Sequence, residues 1–295
     1  MKTKFLLFGF FVALSFFSSC TTTEKLQQDT TPISSTDVTA DQKVDSAIDD
    51  VSVIADDQYE VSEGSINGKT TSDIYYSLLP SCATKSDLGS TASVRVLTIT
   101  FGNLNTPTCL FRGHHLKGQI ILTRTIGTTF PKIMTITFNN FYIDDNKLEG
   151  ILTWKREMVG DGITLHPKTT FTMTNIKLTT PAGVYTRNGE RVREMIAGFL
   201  TRNSPTDDVF STYGTFTTTH PSSGLFSTSI DIKTPLIHKN VCSLSTPSIP
   251  FPVKGIVTLT KNTHTATIDF GTGECDNLAM LSIDGGVATQ ITLGN

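Results

Sequence analysis

The chain has 295 residues, a formal charge of −3 and five cysteines. A charge this small leaves no electrostatic footprint for nucleic acid, and no apolar run is long enough for a permanent transmembrane helix, so both classes are excluded. About 220 residues remain for a folded domain once the N-terminal segments are set aside, enough for a sizeable core.

Taken in chain order, Lys2 and Lys4 precede a 13-residue apolar run from Phe5 to Phe17 and the small pair Ser18 and Ser19. This is the layout of a secretory signal peptide over residues 1–19. Ser18-Ser19-Cys20 resembles the lipobox of bacterial lipoproteins, although Phe17 stands where leucine is usual. The resemblance covers the first 20 residues and implies cleavage before Cys20 and acylation of that cysteine, by diacylglycerol and a further chain such as palmitate. The alternative is an ordinary cleaved signal that leaves Cys20 as a thiol. A single acyl chain binds membranes only marginally, whereas two or three make release rare. Thr21, in place of aspartate, implies by the same resemblance the outer membrane, with the leaflet open.

From Thr21 to Ser65 the composition turns to Thr, Ser, Asp and Gln, with eleven acidic residues against Lys25 and Lys43. Residues 66–295 carry +4, so the acidity is local. The segment, residues 20–75, reads as an extended acidic linker. One helix is predicted inside it near residues 40–57. Thr39 and Gln42 form a capping box, and Val44, Ala47, Ile48, Val51, Ile54 and Ala55 recur at helical spacing. The helix is expected to dock on the following domain or to fray, with a partner-binding helix as the alternative, and its acidic residues read as a solvated face rather than a cation site.

Residues 76–295 show strands of six to ten residues rich in Thr, Ile, Val and Phe. Met134, Ile136 and Phe138 alternate with threonines, and so do Leu148, Leu152 and Trp154 with more polar neighbours. Turn residues such as Asp144-Asp145-Asn146 separate these runs, so successive strands should be antiparallel neighbours. The fold class is all-β: an antiparallel meander of roughly a dozen strands, as a β-sandwich or a strongly curved open sheet, preceded by the tether and its short helix.

Four cysteines follow Cys20 in two similar frames. Cys82 precedes Thr98-Ile99-Thr100-Phe101-Gly102 and then Cys109; Cys242 precedes Thr267-Ile268-Asp269-Phe270-Gly271 and then Cys275. In an exported protein the repetition favours Cys82 with Cys109 and Cys242 with Cys275 among three possible connectivities. Each closed loop would contribute about 3–4 kcal/mol in the chain-entropy model. A structural zinc site is the competing reading, but it would want cysteines two to four residues apart. The frames, together with His115 to Ile120, Thr137 to Tyr142, Lys147 to Gly150 and Asp269 to Asn277, look like a group of β-rich Bacteroidota lipoproteins over most of residues 80–295. That resemblance implies an all-β lipoprotein and transfers no catalytic residue.

Chemistry is sparse. His114 and His115 are adjacent, so in a strand they point to opposite faces, and no neighbouring acid in sequence would orient either ring. A strand entrance explains them better than a metal or a base, and His264 falls in a predicted hairpin turn. Asp207-Asp208 could serve glycoside chemistry only if the fold set two carboxylates across a cleft. The glycines and oxygens of Asp269 to Asn277 lack the ligand spacing of a calcium loop. Arg187, Arg191 and Arg193 suggest an exposed strand face, with an acidic glycan or headgroup as the alternative. No catalytic residue, metal ligand or cofactor is assigned. The leading expectation is a non-enzymatic binding or structural module held on the outer membrane. Its partners would be the membrane, through the anchor, and a glycan, lipid or protein ligand. The alternatives are an envelope glycan hydrolase with paired carboxylates and a lipid carrier built on a curved sheet.

Overall fold

The computed structural model describes residues 30–66, 77–102, 109–201 and 204–294; the signal segment and Cys20 lie outside them. Helix α1 runs from Ser35 to Ile66, about 48 Å at 1.5 Å per residue, and is longer at both ends than the periodicity predicts. Its start is fixed five residues earlier than expected. The Ser34 hydroxyl accepts the Asp37 N–H at 3.1 Å and the Asp37 carboxylate accepts the Ser34 N–H at 3.0 Å, a reciprocal cap. Thr39 is inside the helix, donating to the Ser35 carbonyl.

Among the described residues fifteen antiparallel strands form one sheet, all-β as the alternation predicts and somewhat more than the dozen strands expected. They are β1 (Thr84–Ser86), β2 (Val94–Thr100), β3 (Cys109–Phe111), β4 (His114–Thr125), β5 (Lys132–Ile143), β6 (Asn146–Val159), β7 (His166–Thr180) and β8 (Gly183–Ala197). The rest are β9 (Val209–His220), β10 (Gly224–Ile230), β11 (Leu236–Lys239), β12 (Lys254–Lys261), β13 (His264–Thr272), β14 (Leu278–Ile283) and β15 (Thr289–Thr292). Neighbours follow chain order except that β3 lies beside β4, and β11 continues the place of β10 between β9 and β12. A second helix, α2 (Asn240–Ser243), is a single turn.

The sheet curls round α1. Trp154, Phe141, Ile99, Leu116 and Ile120 on the strands share one buried cluster with Val44, Ile48, Val51, Ile54 and Tyr59 of the helix. The helix therefore belongs to the core of the sheet, and the expected linker boundary near residue 75 does not separate two packing units. The Arg112 Nη2, between β3 and β4, donates to the Pro250 carbonyl just before β12 at 2.9 Å, so distant parts of the sheet meet across the helix.

The curvature has a local cause. In β4 to β7 the pairing register slips near Gly118, Asn140, Gly150 and Asn175, all with positive φ. Bulges of this kind bend a strand and increase its twist. At Gly118 a Cβ would fall 1.8 Å from the Asn140 carbonyl oxygen, and at Gly150 it would fall 2.4 Å from that of Asn175, so two backbones approach where only glycine fits.

Both disulfides form with the pairing that the repetition suggests, Cys82–Cys109 and Cys242–Cys275. Each closes an antiparallel pair: one cysteine precedes the first strand and the other follows the second. Thr84 faces Thr100 in the first unit, and Lys254 faces Thr272 in the other. The thiols are therefore committed to each other.

Gly150→Ala should cost about 2–3 kcal/mol through strain and overpacking. Gly113→Ala, where a Cβ meets nothing, should cost about 1 kcal/mol. Chemical denaturation of the two variants checks the difference; equal losses would mean that the bulge line is not what holds the bend.

Candidate functional site

The densest chemistry in the molecule lies between α1 and the inner face of the sheet. Asp41, Asp45 and Asp49 recur every four residues and so fall on one side of the helix. Arg187 of β8, with no exposed surface, donates from Nη2 to Asp41 at 2.8 Å, from Nη1 to Asp45 at 2.7 Å and from Nε to the Thr218 hydroxyl at 2.9 Å. Its guanidinium lies over the Phe216 ring at 4.3 Å. Arg191 shares Asp45. Further along the helix, Arg156 of β6 pairs with Glu60, and the Trp154 indole donates to Asp56 at 2.7 Å.

The acidic run is thus not a solvated face, and Arg187, Arg191 and Arg193 are not an exposed one: all three arginines are buried. The sequence shows both charge sets but not that the helix lies inside the sheet. Burial alone would raise the Asp41 carboxyl, yet Arg187 and the hydrogen bonds round it bring it down to about 2.

A second cluster surrounds His114 at the start of β4. Its Nδ1 is 2.5 Å from Asp144 Oδ2 and its Nε2 is 3.1 Å from the Ser46 hydroxyl of α1. Asp144 also accepts the His115 N–H at 2.8 Å. Asp144 is the orienting acid missing from the sequence neighbourhood. It sits thirty residues away, in the turn between β5 and β6, and is brought beside His114 because β4 and β5 pair. The bond to Asp144 raises the His114 pKa above its ordinary value.

Arg112 lies alongside, donating to Asp49 at 3.0 Å and Asp50 at 3.1 Å. Burial pushes Asp50 up to about 7, against the pull of Arg112 and His114. Burial would raise Asp49 too, but Arg112 holds it well below the carboxylate range, so Asp50 is the member of the pair that keeps a proton.

Ser46, His114 and Asp144 stand in the hydrogen-bond order of a nucleophile, base and orienting acid. Two observations assign them a structural role. At the start of β13, His264 makes the same pair with Asp284, at 2.7 Å, and Asp284 accepts the Thr265 N–H at 2.8 Å. There the Nε2 meets a backbone carbonyl, Thr30 O at 3.1 Å, in the place that the Ser46 hydroxyl takes beside His114. The motif is a strand-end clamp used twice. In addition, Asp50 Oδ2 lies 4.0 Å from His114 Nε2, so the ring is held against the helix as well as against the turn.

The remaining candidates do not converge on a centre. Asp207, in a 3-10 turn at Pro205–Asp207, accepts from the Thr201 hydroxyl at 2.6 Å, while Asp208 is buried against Asn240 at 3.2 Å. Burial and the charge of Asp207 push Asp208 up to about 7, but the two face different partners rather than each other across a cleft. In the Asp269 to Asn277 loop, Asp269 caps Gly271 and Asp276 caps Leu278, while Lys239 donates to the Gly273 carbonyl at 2.7 Å, which places a cation there already. Among the described residues, no group of three or more His, Cys, Asp or Glu side chains is arranged to hold a metal ion. A cavity near the end of α1, between Tyr59, Arg95 and Arg124, has about 10 Å³, room for one water.

No family model, curated protein or solved structure matches the chain, so the geometry alone carries the functional reading.

Asp41→Ala leaves the buried Arg187 with Asp45 alone as counter-charge and should destabilise the protein by about 3 kcal/mol, whereas Asp41→Leu with Arg187→Met should recover much of that loss in denaturation curves. Asp50 and Asp208, both pushed up to about 7, contribute to the pH dependence of stability in the same window, and Asp50 can be tested by substitution. Its folded pKa of about 7 exceeds the ordinary 3.8, so the folded state holds the proton more tightly and stability falls as pH rises from about 4 to 7. Asp50→Asn should make that part of the wild-type melting-temperature profile shallower, leaving the share of Asp208; identical slopes would show that Asp50 does not titrate there.

Proposed function

We propose that the chain is an envelope lipoprotein, anchored to the outer membrane through acylated Cys20, whose β domain is a non-enzymatic binding or structural module. The observation that carries this reading is the occupancy of the inner face. The hollow that a curved sheet would offer a ligand is filled by the chain's own helix, and the helix charges are satisfied by the sheet. A lipid carrier needs an apolar hollow of several hundred Å³. Here the equivalent space holds a helix and a layer of arginine–carboxylate pairs. A glycan hydrolase of the paired-carboxylate kind needs two acids across a cleft, and Asp207 and Asp208 are engaged separately. The outward surfaces are what remains for a partner.

On this reading the tether is short. Helix α1 begins at Ser35 and Thr30 already rests on His264, so about ten residues separate Cys20 from the body of the domain. At roughly 3.5 Å per extended residue they reach no further than about 35 Å. The domain is therefore held close to the membrane surface, not at the end of a spacer running to residue 75. No helix of the described residues is long and apolar enough to cross a bilayer itself.

Intact-mass analysis of the mature protein from membranes should show a chain beginning at Cys20 with the added mass of acyl groups. Cys20→Ala should accumulate as unprocessed precursor lacking that mass. An unmodified mature chain, or normal processing of the variant, would remove the anchor from this reading.

A further inference from the structure

The outer face of the sheet carries an ordered pattern that the fold does not require. The chain holds 49 threonines, and strand pairing lines many of them up across the sheet. On β9, β10, β12 and β13, Thr215, Ser229, Thr258 and Thr267 are successive partners in one row. Thr217, Ser227, Thr260 and Thr265 form the next row. All eight are exposed or half-buried on the side away from the helix. The first row continues through Glu190 of β8 to Thr172, Thr153, Thr135 and Thr123 on β7 to β4.

Strand geometry sets the spacing. Partners along a row are about 4.8 Å apart, and residues two apart on a strand are separated by about 6.8 Å, so the eight hydroxyls tile a patch of about 14 by 7 Å. The β-branched threonines are stiff at χ1, which holds each hydroxyl and methyl in a fixed relation to the lattice of the sheet. Threonine's strand propensity explains its presence at any one of these positions. It does not explain why eight neighbouring solvent-facing positions exclude the lysine and glutamate that exposed surfaces ordinarily carry.

The same features select the partner. The eight positions themselves carry no charge and no aromatic ring, Glu190, Asp269 and Tyr213 standing at their border, so the patch offers little to an ionic ligand and no central stacking platform to a sugar. Its area is far below the ~800 Å² that each side of a stable protein interface buries. What it matches is a neutral lattice of hydrogen-bonding oxygens with a repeat of its own. We propose that this face adsorbs to ice, the hydroxyls joining the outermost layer of ordered water and the methyls seated in the gaps between oxygens. Neighbouring strands turn by about 20–25° relative to each other, so only a few at a time can lie flat on a crystal. The expected activity is accordingly restraint of small crystals and growth steps. The inference rests on the non-enzymatic binding reading but not on the anchor.

The test uses the whole chain from residue 20 onward with Cys20→Ser, so that no acyl chain is attached. In a frozen sucrose film it should halt the coarsening of ice crystals, and it should partition into slowly grown ice. Thr217→Lys and Thr260→Lys should abolish both effects without shifting the melting temperature. Thr179→Lys, exposed on β7 and outside the eight-residue patch, should behave as the unsubstituted chain does. Absence of any effect from the unsubstituted chain, or full activity in the patch variants, would overturn the proposal. So would retention on an insoluble polysaccharide that the patch variants lose, which would reassign the face to glycan binding.

Discussion

Arg187 is the interaction on which the rest of the structure depends. A fully buried guanidinium is tolerable only where every donor direction meets an acceptor, and here two helix carboxylates and a threonine hydroxyl supply them. Burying such a group brings little net stability over an apolar replacement. Its effect is positional. Rotating α1 about its axis would carry Asp41 and Asp45 away from Arg187 and Glu60 away from Arg156, stranding charges at several places at once. The apolar residues of the helix could adapt to such a rotation, but the ion pairs could not. Charge thus fixes which side the helix turns to β6 and β8, while the hydrophobic stripe supplies the adhesion.

A helix lodged against a sheet in this way demands that the sheet bend. The glycines and asparagines at the bulges of β4 to β7 allow it, because their positive φ values and close backbone approaches suit residues with little or no side chain to accommodate. The edges then become manageable. The path through the sheet begins at β1, three exposed residues, and ends at β15, four mostly exposed ones, both too short to template long pairing with another chain. The disulfides strengthen the same outer parts, each tying off the open end of an antiparallel pair near one side of the sheet.

Strand identity and the cysteine pairing were legible in the sequence because both rest on local or repeated patterns. Alternation at Met134, Ile136 and Phe138 is a property of consecutive residues, and each cysteine frame repeats one hairpin. The helix was half legible. Its apolar stripe fixed its existence, but its acidic residues looked solvated because their partners lie up to 146 residues away. The same distance made Arg187, Arg191 and Arg193 look like an outer face. His114 shows the limit most clearly: nothing near it in sequence orients its ring, and Asp144 arrives only through strand pairing. The second copy, His264 with Asp284, could have been noticed, since each histidine opens a strand and each aspartate follows an isoleucine at the end of a neighbouring one.

The arrangement inverts the usual distribution of polar residues. Arginine is ordinarily among the least buried side chains, yet Arg156, Arg187, Arg191 and Arg193 face inward. Hydroxyls, which bury more readily, are arrayed outside. The inward charges are accounted for by the helix that they hold. The outward rows have no such account in folding, since the exposed positions of β9, β10, β12 and β13 contribute little to the core. Their uniformity is therefore where selection for something other than stability would be visible. A domain whose interior is committed to its own helix can meet a partner only through its exterior, and the most regular part of that exterior is neutral, rigid and periodic.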